Sequence, residues 1–161
     1  MPSQPAPTDQ PSFTARHWIA ITALISGMVA LYLHLWKIGK AGTLTCTASH
    51  GCEIAQFSPY GWFAGVDVSL IGTVGYALIL LVAIGGIQPS RIMDRRYTVA
   101  LMVLIIPAFL FTLRLKYEEF FILHTFCPWC AVSAVTITTQ VVAVVLDWRR
   151  VSEKREVRSE K

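Results

Sequence analysis

Charged side chains are scarce in this chain, and long stretches of it contain none. Only 15% of the 161 residues are Asp, Glu, Lys or Arg, while 54% are hydrophobic. A soluble domain of this length usually carries more charge. Apolar residues without any Asp, Glu, Lys or Arg fill four blocks, at residues 18–36, 69–87, 97–113 and 125–146. A helix needs about 20 such residues to cross the bilayer core, so the scarcity of charge excludes an ordinary soluble enzyme and predicts four membrane spans.

The chain also lacks a continuous basic patch, although its formal net charge is +4. Its basic residues flank the apolar blocks instead, which argues against a nucleic-acid-binding protein. Ten of them lie before the first block, between the second and third, or after the fourth, and four lie at the opposite block ends. Because Lys and Arg concentrate on the cytoplasmic side of a membrane, we predict that both termini are cytoplasmic.

No internal repeat and no soluble domain interrupts this pattern, so we predict one all-α membrane domain, a four-helix bundle, at residues 16–148. Residues 1–15, which are rich in Pro and Ser, are expected to form a disordered cytoplasmic tail. The first block is longer than the apolar region of a signal peptide, and no typical cleavage site follows it. Residues 149–161 predict a basic cytoplasmic segment, either a tail or a frayed extension of the last helix.

The one long connection, residues 37–68, carries several aromatic side chains, which prefer a membrane interface to bulk water. Loops of this length are usually functional or disordered. We therefore expect this loop to lie on the outer membrane surface, with a short helix near residues 52–57 that ends before Pro59.

Cysteine is rare, and the four cysteines form two pairs, each on the side of the membrane opposite the termini, where disulfides persist. Cys127 and Cys130 belong to a Cys-Pro-Trp-Cys motif at a predicted helix start. Residues three apart share a helix face, and a helix N-terminus favours the thiolate. The motif therefore indicates a redox pair, with a structural disulfide or half of a zinc site as alternatives.

Cys46 and Cys52 are separated by five residues in a loop segment that contains Gly51. Such a loop can bring the two sulfurs together without regular structure, and a static disulfide is the alternative interpretation. His50 and His124 could join the cysteines as metal ligands, but neither loop has the ligand spacing of a zinc finger or ribbon. We therefore expect no metal. Exchange between the pairs requires a thiolate of one to attack a disulfide of the other, so together they indicate an electron relay.

Several motifs along the chain resemble the bacterial branch of the vitamin K epoxide reductase family. The resemblance covers about residues 18–146. The residues that carry it are Cys46, Cys52-Glu53, Ser58-Pro59-Tyr60, Gly65, Ser69-Leu70-Ile71-Gly72, Tyr76 and Cys127-Pro128-Trp129-Cys130. It implies a bundle of four transmembrane helices around a quinone, which the long extracytoplasmic loop caps, in the inner (cytoplasmic) membrane of a bacterium.

The resemblance also assigns roles to the cysteines. It implies that Cys127 and Cys130 are the active-site pair, with Cys130 nearer the quinone and Cys127 in exchange with the loop. Cys46 and Cys52 would be the shuttle pair, with Cys52 as the partner of Cys127 and Cys46 facing the incoming thiol.

The quinone contacts that we expect from the resemblance are Ser58, Phe57, Tyr60 and Cys130. Ser58 matches a loop hydroxyl of the family, although a hydroxyl before Pro59 can equally serve as a turn or helix cap. Two other positions depart from the vertebrate enzymes, which place polar groups near the quinone where this chain has Val68 and Ala134. The departure weakens epoxide reduction as an activity and leaves quinone reduction intact. Asp67, next to Val68, could substitute for the missing polar group, but we expect it to be a solvated interfacial carboxylate.

The predicted activity is that of a membrane thiol–quinone oxidoreductase that supports disulfide bond formation. Many bacterial relatives carry a fused thioredoxin-like domain, which this sequence does not contain, so a separate DsbA-like, thioredoxin-fold partner is expected. The electron acceptor would be menaquinone or ubiquinone. A relay of the DsbB type is less favoured, because there the Cys-X-X-Cys pair precedes the other pair. The alternative of another class is a non-catalytic membrane protein with two structural disulfides or a Cys/His metal site.

Overall fold

The computed structural model describes residues 14–42, 50–88, 90–91 and 94–159. Its helices, in chain order, are α1 (Ala15–Lys37), α2 (Gly51–Phe57), α3 (Val68–Ile87), α4 (Arg95–Tyr117) and α5 (Pro128–Ser159). Four of them, all except α2, are long and apolar enough to cross a membrane. The prediction of an all-α bundle with four spans is therefore confirmed.

The four long helices form a ring in which each packs against two neighbours. α1 contacts α3 and α5, and α4 contacts the same two helices from the other side. Small and branched side chains fill the centre of the ring, among them Ile19, Ala23, Ile79, Ala83, Leu101, Ile105, Ile137 and Val144. Large apolar side chains cover the outside, where Leu81, Val103 and Val135 are each about two-thirds exposed. An exposed apolar surface of this extent is typical of lipid contact.

The helix limits lie within four residues of the predicted spans except at the end of α5, which runs 13 residues past residue 146. α5 begins at Pro128 and not at residue 125, because proline suits the first helical position and the Cys127 carbonyl accepts the first helical hydrogen bond, from Ala131 N–H. α4 runs on to Tyr117 and then widens into a π-helical turn, Glu118–Ile122. The basic segment after residue 148 continues α5 as far as Ser159, so of the two predicted forms the structure has the helical extension.

The start of the chain is only partly described. Residues 1–13 of the predicted disordered tail, 1–15, lie outside the described residues. The other two, Thr14 and Ala15, are the N-cap and the first residue of α1. α1 therefore starts three residues before the predicted span, and the Thr14 N–H donates to Nδ1 of His17 at this end.

The long connection is ordered in its described second half. α2 lies where the short helix was expected, and a 3-10 turn (Pro59–Gly61) follows it. Strands β1 (Trp62–Phe63) and β2 (Val66–Asp67) then form a small antiparallel hairpin. Its turn includes Gly65, whose φ of +80° suits glycine.

Lys37, at the end of α1, fastens this loop to the bundle. Its Nζ donates to the Gly61 carbonyl at 3.1 Å and to Oδ1 of Asp67 at 2.9 Å, and it lies 4.2 Å from the centre of the Trp62 ring. The loop is therefore held over one end of the bundle, the end at which α5 begins.

A buried cation closes the opposite end. The side chain of Arg16 is fully buried, and all five of its N–H groups donate to acceptors from four other parts of the chain. We call this group the Arg16 cluster; its acceptors are Asp147, Thr98 and the carbonyls of Gly86, Arg91 and Asp94. The Arg16–Asp147 pair is 3.0 Å apart. The cluster joins the beginnings of α1 and α4 to the end of α3 and to the later part of α5.

Candidate active site

The Cys-Pro-Trp-Cys motif lies at the first turn of α5. Cys127 immediately precedes the helix, and its Sγ accepts the Cys130 N–H at 3.4 Å. A side chain that accepts this amide satisfies one of the free N–H groups at a helix start. Both cysteines carry free thiols, and Cys127 is fully buried.

The pKa of the Cys127 thiol lies below its ordinary value. The main cause is the hydrogen bond with the Cys130 side chain, and the Cys130 N–H adds to it, since both stabilise the thiolate. Burial and the negative charge of Glu119 oppose the shift, while the positive charge of Lys116 favours it. Because the thiolate is the attacking species in disulfide exchange, this environment favours Cys127 as the attacking sulfur of the motif.

Glu119, in the π-helical turn that follows α4, fixes the position of Cys127. One carboxylate oxygen accepts the Cys127 N–H at 2.6 Å, and the other accepts from Nζ of Lys116 at 2.8 Å. The carboxylate is only 4% exposed. The residues immediately before α5 are thereby held outside the helix, which explains why the helix starts three residues later than predicted.

The loop helix α2 lies directly against this segment. Cys52, its second residue, is fully buried and disulfide-bonded. At the preceding position, a Cβ added to Gly51 would lie 2.5 Å from the Phe126 carbonyl oxygen and 2.6 Å from Oγ1 of Thr125. Only glycine allows this approach, so the structure brings the start of α2 next to the residue before Cys127. Cys46 lies outside the described residues, and its pairing with Cys52 stays a prediction.

A cavity of about 360 Å³ opens inside the bundle, next to the second cysteine of the motif. Cys130 lines it, whereas Cys127 does not. All four long helices and the loop contribute to the wall, which is mostly apolar, with residues such as Ile71, Ile79, Pro107, Phe111 and Leu115. Sites for small organic ligands are typically apolar cavities of this order with a few polar groups.

The structure brings some of the predicted quinone contacts to the cavity and leaves others outside. Cys130 and Tyr60 line it. Phe57 does not; its ring is 58% exposed and packs edge-on against Trp36, 5.5 Å away. Ser58 is also absent from the lining, and its hydroxyl donates to the Ala55 carbonyl at 2.9 Å, as expected of a residue that caps a turn. The assignment of these four residues to a cofactor stays a prediction.

Gln56 reaches the cavity and was not anticipated from the sequence. Its Oε1 accepts from the Ser69 hydroxyl at 2.8 Å, and its Nε2 lies 3.8 Å from Sγ of Cys130. The spacing of Gln56 from Cys52 is the signal that could have indicated it, because residues four apart share a helix face. Glu119 gave no comparable signal, since a π-helical turn sets its direction.

Val68 and Ala134 offer the cavity no polar side chain, but polar groups reach it from the neighbouring positions Ser69 and Ser133. The Ser133 hydroxyl forms a hydrogen bond of 2.7 Å with the hydroxyl of Tyr76. The indole of Trp129 also lines the cavity, and its Nε1 is buried without a hydrogen-bond partner among the described residues. A quinone presents only acceptor oxygens on a flat apolar ring, so the wall and this free donor fit such a ligand.

Asp67 is not the solvated carboxylate that the sequence predicted. It is 5% exposed, and it accepts hydrogen bonds from Nδ1 of His34, Nζ of Lys37 and the Ser69 N–H. Burial alone would raise the pKa of this carboxyl, but the three hydrogen bonds outweigh it and lower the pKa below its ordinary value. Asp67 is therefore a tether between α1 and the loop, outside the cavity lining.

The histidines near the cysteines have other contacts. Nδ1 of His50 lies 3.3 Å from a Glu53 carboxylate oxygen, and Nδ1 of His124 lies 3.2 Å from the Phe120 carbonyl. Within the described ranges, no three His, Cys, Asp or Glu side chains come together as a group that could hold a metal ion.

A sequence model of the vitamin K epoxide reductase family matches residues 17–145, which is most of the chain. The chain therefore belongs to this family, as its motifs predicted. Members of the family are membrane thiol–quinone oxidoreductases that generally use a quinone as electron acceptor. The protein is accordingly a membrane oxidoreductase of this general kind.

Proposed function

We propose that this member of the family reoxidises a DsbA-like, thioredoxin-fold partner and passes the electrons through its two cysteine pairs to a quinone. The observation that carries the proposal is the division of the Cys-Pro-Trp-Cys motif between two surroundings. Cys130 lines the cavity, while Cys127 lies outside it, where the loop packs against the preceding residue. A pair placed in this way can exchange with the loop through one sulfur and serve the cavity through the other.

The proposed path begins at the loop pair. The partner's dithiol reduces the disulfide between Cys46 and Cys52, and both electrons then pass to a disulfide between Cys127 and Cys130. That exchange proceeds through a mixed disulfide between Cys52 and Cys127, and it ends with the loop disulfide restored and two free thiols in the motif. The described state, with Cys52 in a disulfide and Cys127 and Cys130 free, is consistent with this last stage.

The quinone-side step closes the cycle. A bound quinone supplies an acceptor for two electrons and two protons. Cys127 and Cys130 lose these as their thiols join into a disulfide, so atoms and charges balance without another reductant. Residues that would hold the ring are the apolar wall of the cavity, with Tyr60 and the indole of Trp129. Glu119 holds the backbone of Cys127 in place throughout.

The charge distribution of the chain supports the orientation of the protein in the membrane. Most of its Lys and Arg residues lie at the end of the bundle opposite the cysteines, and this end is expected to face the cytoplasm. The cysteine pairs would then face the periplasm or the extracytoplasmic space of a bacterium, where a soluble partner can meet the loop. The quinone of that membrane, menaquinone or ubiquinone, would reach the cavity from the bilayer.

The test uses the purified protein in detergent with a small dithiol and menadione. Wild type is expected to reduce menadione at the expense of the dithiol, and Cys130→Ala should abolish this activity. In a Cys130→Ser variant the Cys127 thiolate can attack the loop disulfide, and only the released Cys46 thiol can reverse that step, so alkylation of Cys46 traps the product. Peptide mapping should therefore find a Cys52–Cys127 link, with Cys46 alkylated. Unchanged turnover in Cys130→Ala, or no such link, would contradict the proposal.

A further inference from the structure

The indole of Trp129 has a position that the proposed electron path does not use. Trp129 is the second residue of α5, between the two active-site cysteines, and its ring lies 6.1 Å from that of Tyr32 on α1. It lines the same cavity as Cys130. The ring thus forms part of the wall immediately beside the sulfur that serves the cavity.

The Nε1–H of this indole is a buried donor without an acceptor. Buried Trp N–H groups usually have a partner, and leaving one unpaired is energetically unfavourable. Among the described residues, only one other buried side-chain N or O atom lacks a partner, Oε1 of Gln140, and that residue does not line the cavity. The unpaired donor is therefore a specific feature of the cavity wall.

Several neighbouring polar groups of the wall hydrogen-bond to other residues, and among the described residues none accepts from Nε1 of Trp129. The amide oxygen of Gln56 accepts from Ser69, the Ser133 hydroxyl pairs with Tyr76, and the Thr112 hydroxyl donates to the Ala108 carbonyl. A ligand in the cavity can supply the acceptor that Trp129 lacks. Since the donor is neutral and the cavity wall is mostly apolar, with the carboxylates of Glu118 and Glu119 among its charged groups, a neutral acceptor suits it better than an anion, which would lose its hydration there.

We propose that Nε1 of Trp129 donates a hydrogen bond to a carbonyl oxygen of the bound quinone and so sets the quinone ring beside Cys130. This inference rests on the proposed quinone site and adds the residue that orients the ligand in it. It also explains how a quinone can be hydrogen-bonded although Val68 and Ala134 have no polar side chains, since the hydrogen-bond donor comes from the Cys-X-X-Cys motif instead. A donor aimed at this oxygen stabilises the negative charge that gathers there as electrons leave the motif.

The experiment compares Trp129→Phe, which keeps an aromatic ring against Tyr32 but removes the N–H, with Trp18→Phe. Trp18 is 44% exposed near the Arg16 cluster and serves as the matched control. Menadione binding is measured by calorimetry on protein whose Cys127–Cys130 pair has been oxidised beforehand, so that no turnover occurs. The Kd should rise about fivefold to tenfold in Trp129→Phe, the loss of one hydrogen bond, and should not change in Trp18→Phe.

A second measurement needs no variant of Trp129 that folds. In wild type labelled with ¹⁵N at the indoles, menadione should shift one indole N–H resonance downfield, as a new hydrogen bond does. No indole shift on saturation with menadione, or an unchanged Kd in Trp129→Phe, would overturn the inference. Binding with the expected shift but without dithiol-driven reduction would leave it standing and would instead contradict the proposed function.

Discussion

The two ends of this bundle handle buried polar groups in opposite ways. In the Arg16 cluster, every N–H of a buried guanidinium has an acceptor, and Asp147 and Thr98 complete the network. At the cysteine end, the cavity beside Cys130 retains a donor without an acceptor, and two free thiols lie beside a buried carboxylate. A saturated network specifies one arrangement, whereas an incomplete one leaves room for a ligand and for exchange chemistry.

This difference indicates that separate parts of the chain provide stability and function. The same four helices run through both ends, so their apolar faces cannot account for the difference between the ends. The polar residues at the helix termini account for it. At one end they bind only one another, and at the other the wall of the cavity and the loop helix α2 bring polar groups to reactive sulfurs. We therefore expect substitutions at the Arg16 end to change the free energy of unfolding, and those at the cysteine end to change reaction rates.

Arg16→Leu is expected to have the largest effect of the substitutions considered, a loss of stability at the end of the bundle that holds the Arg16 cluster. The substitution leaves the Asp147 carboxylate buried without its cation and removes the donors for three carbonyls. Removing one partner of a buried ion pair costs about 3–5 kcal/mol, and thermal unfolding in detergent should show a loss of that order. The matched control is Arg96→Leu, whose exposed side chain should matter little. Equal unfolding temperatures for the two variants would show that the Arg16 cluster does not secure this end.

Gly51→Ala tests the contact between the loop helix and the active-site motif. The added methyl would overlap the Phe126 carbonyl, so α2 must move away from the segment before Cys127. Overpacking of this kind costs about 1–3 kcal/mol. In the Cys130→Ser background, the Cys52–Cys127 link should form about tenfold more slowly, a change equivalent to 1.36 kcal/mol.

Gly42→Ala is the control for that substitution, because a Cβ at Gly42 would meet no atom of the described residues within 4 Å. It should form the link at the rate of the parent protein. If Gly51→Ala also does so, the approach of α2 to Phe126 is not needed for exchange between the cysteine pairs. The cysteine end would then be less dependent on loop position than the structure suggests.

The sequence predicted the fold better than it predicted the polar groups of either end. Absence of charge marked four spans, with limits within four residues of the helix ends except at the end of α5, because the cost of burying a charge in a bilayer is a local property of the sequence. The short helix α2 was also predictable, since Pro59 follows its end and the aromatic residues of the loop argued against a freely solvated segment. The motif Cys-Pro-Trp-Cys indicated a helix start for a similar local reason.

Long-range pairing is what the sequence could not show. Arg16 was interpreted as a flanking cytoplasmic cation, yet it is fully buried, because its acceptors come from residues 70 to 131 positions away. Asp67 was expected to be solvated, yet His34 and Lys37 from α1 enclose it. Such partners depend on how the helices pack and on where a loop returns, and neither follows from the local pattern around one residue.

Two buried glutamines allow a direct comparison of the ends with one kind of substitution. Gln56 lies between Ser69 and the Cys130 sulfur, whereas Gln140 donates to Thr22 at 3.0 Å within the bundle. Gln56→Leu should slow dithiol–menadione turnover about threefold to tenfold, as expected for one lost hydrogen bond near the reacting sulfur. Gln140→Leu should leave turnover unchanged and alter the free energy of unfolding by about 1 kcal/mol. Equal turnover in the two variants would remove Gln56 from the redox chemistry.

The smallest expected effects concern the two charges that face Cys127, and they should have opposite signs. Glu119 raises the pKa of the Cys127 thiol and Lys116 lowers it, so Glu119→Gln should move the pH profile of Cys127 alkylation to lower pH and Lys116→Met should move it to higher pH. Because this pKa is depressed in the folded protein, the thiolate stabilises the fold above the ordinary thiol pKa, and that contribution is lost as the pH falls through the lowered value. Iodoacetamide labelling at a series of pH values, resolved by peptide mass spectrometry, gives both profiles. Shifts in the same direction would mean that the substitutions act by disturbing the start of α5. The charges of Glu119 and Lys116 would then not control the pKa of Cys127, contrary to the difference proposed between the two ends.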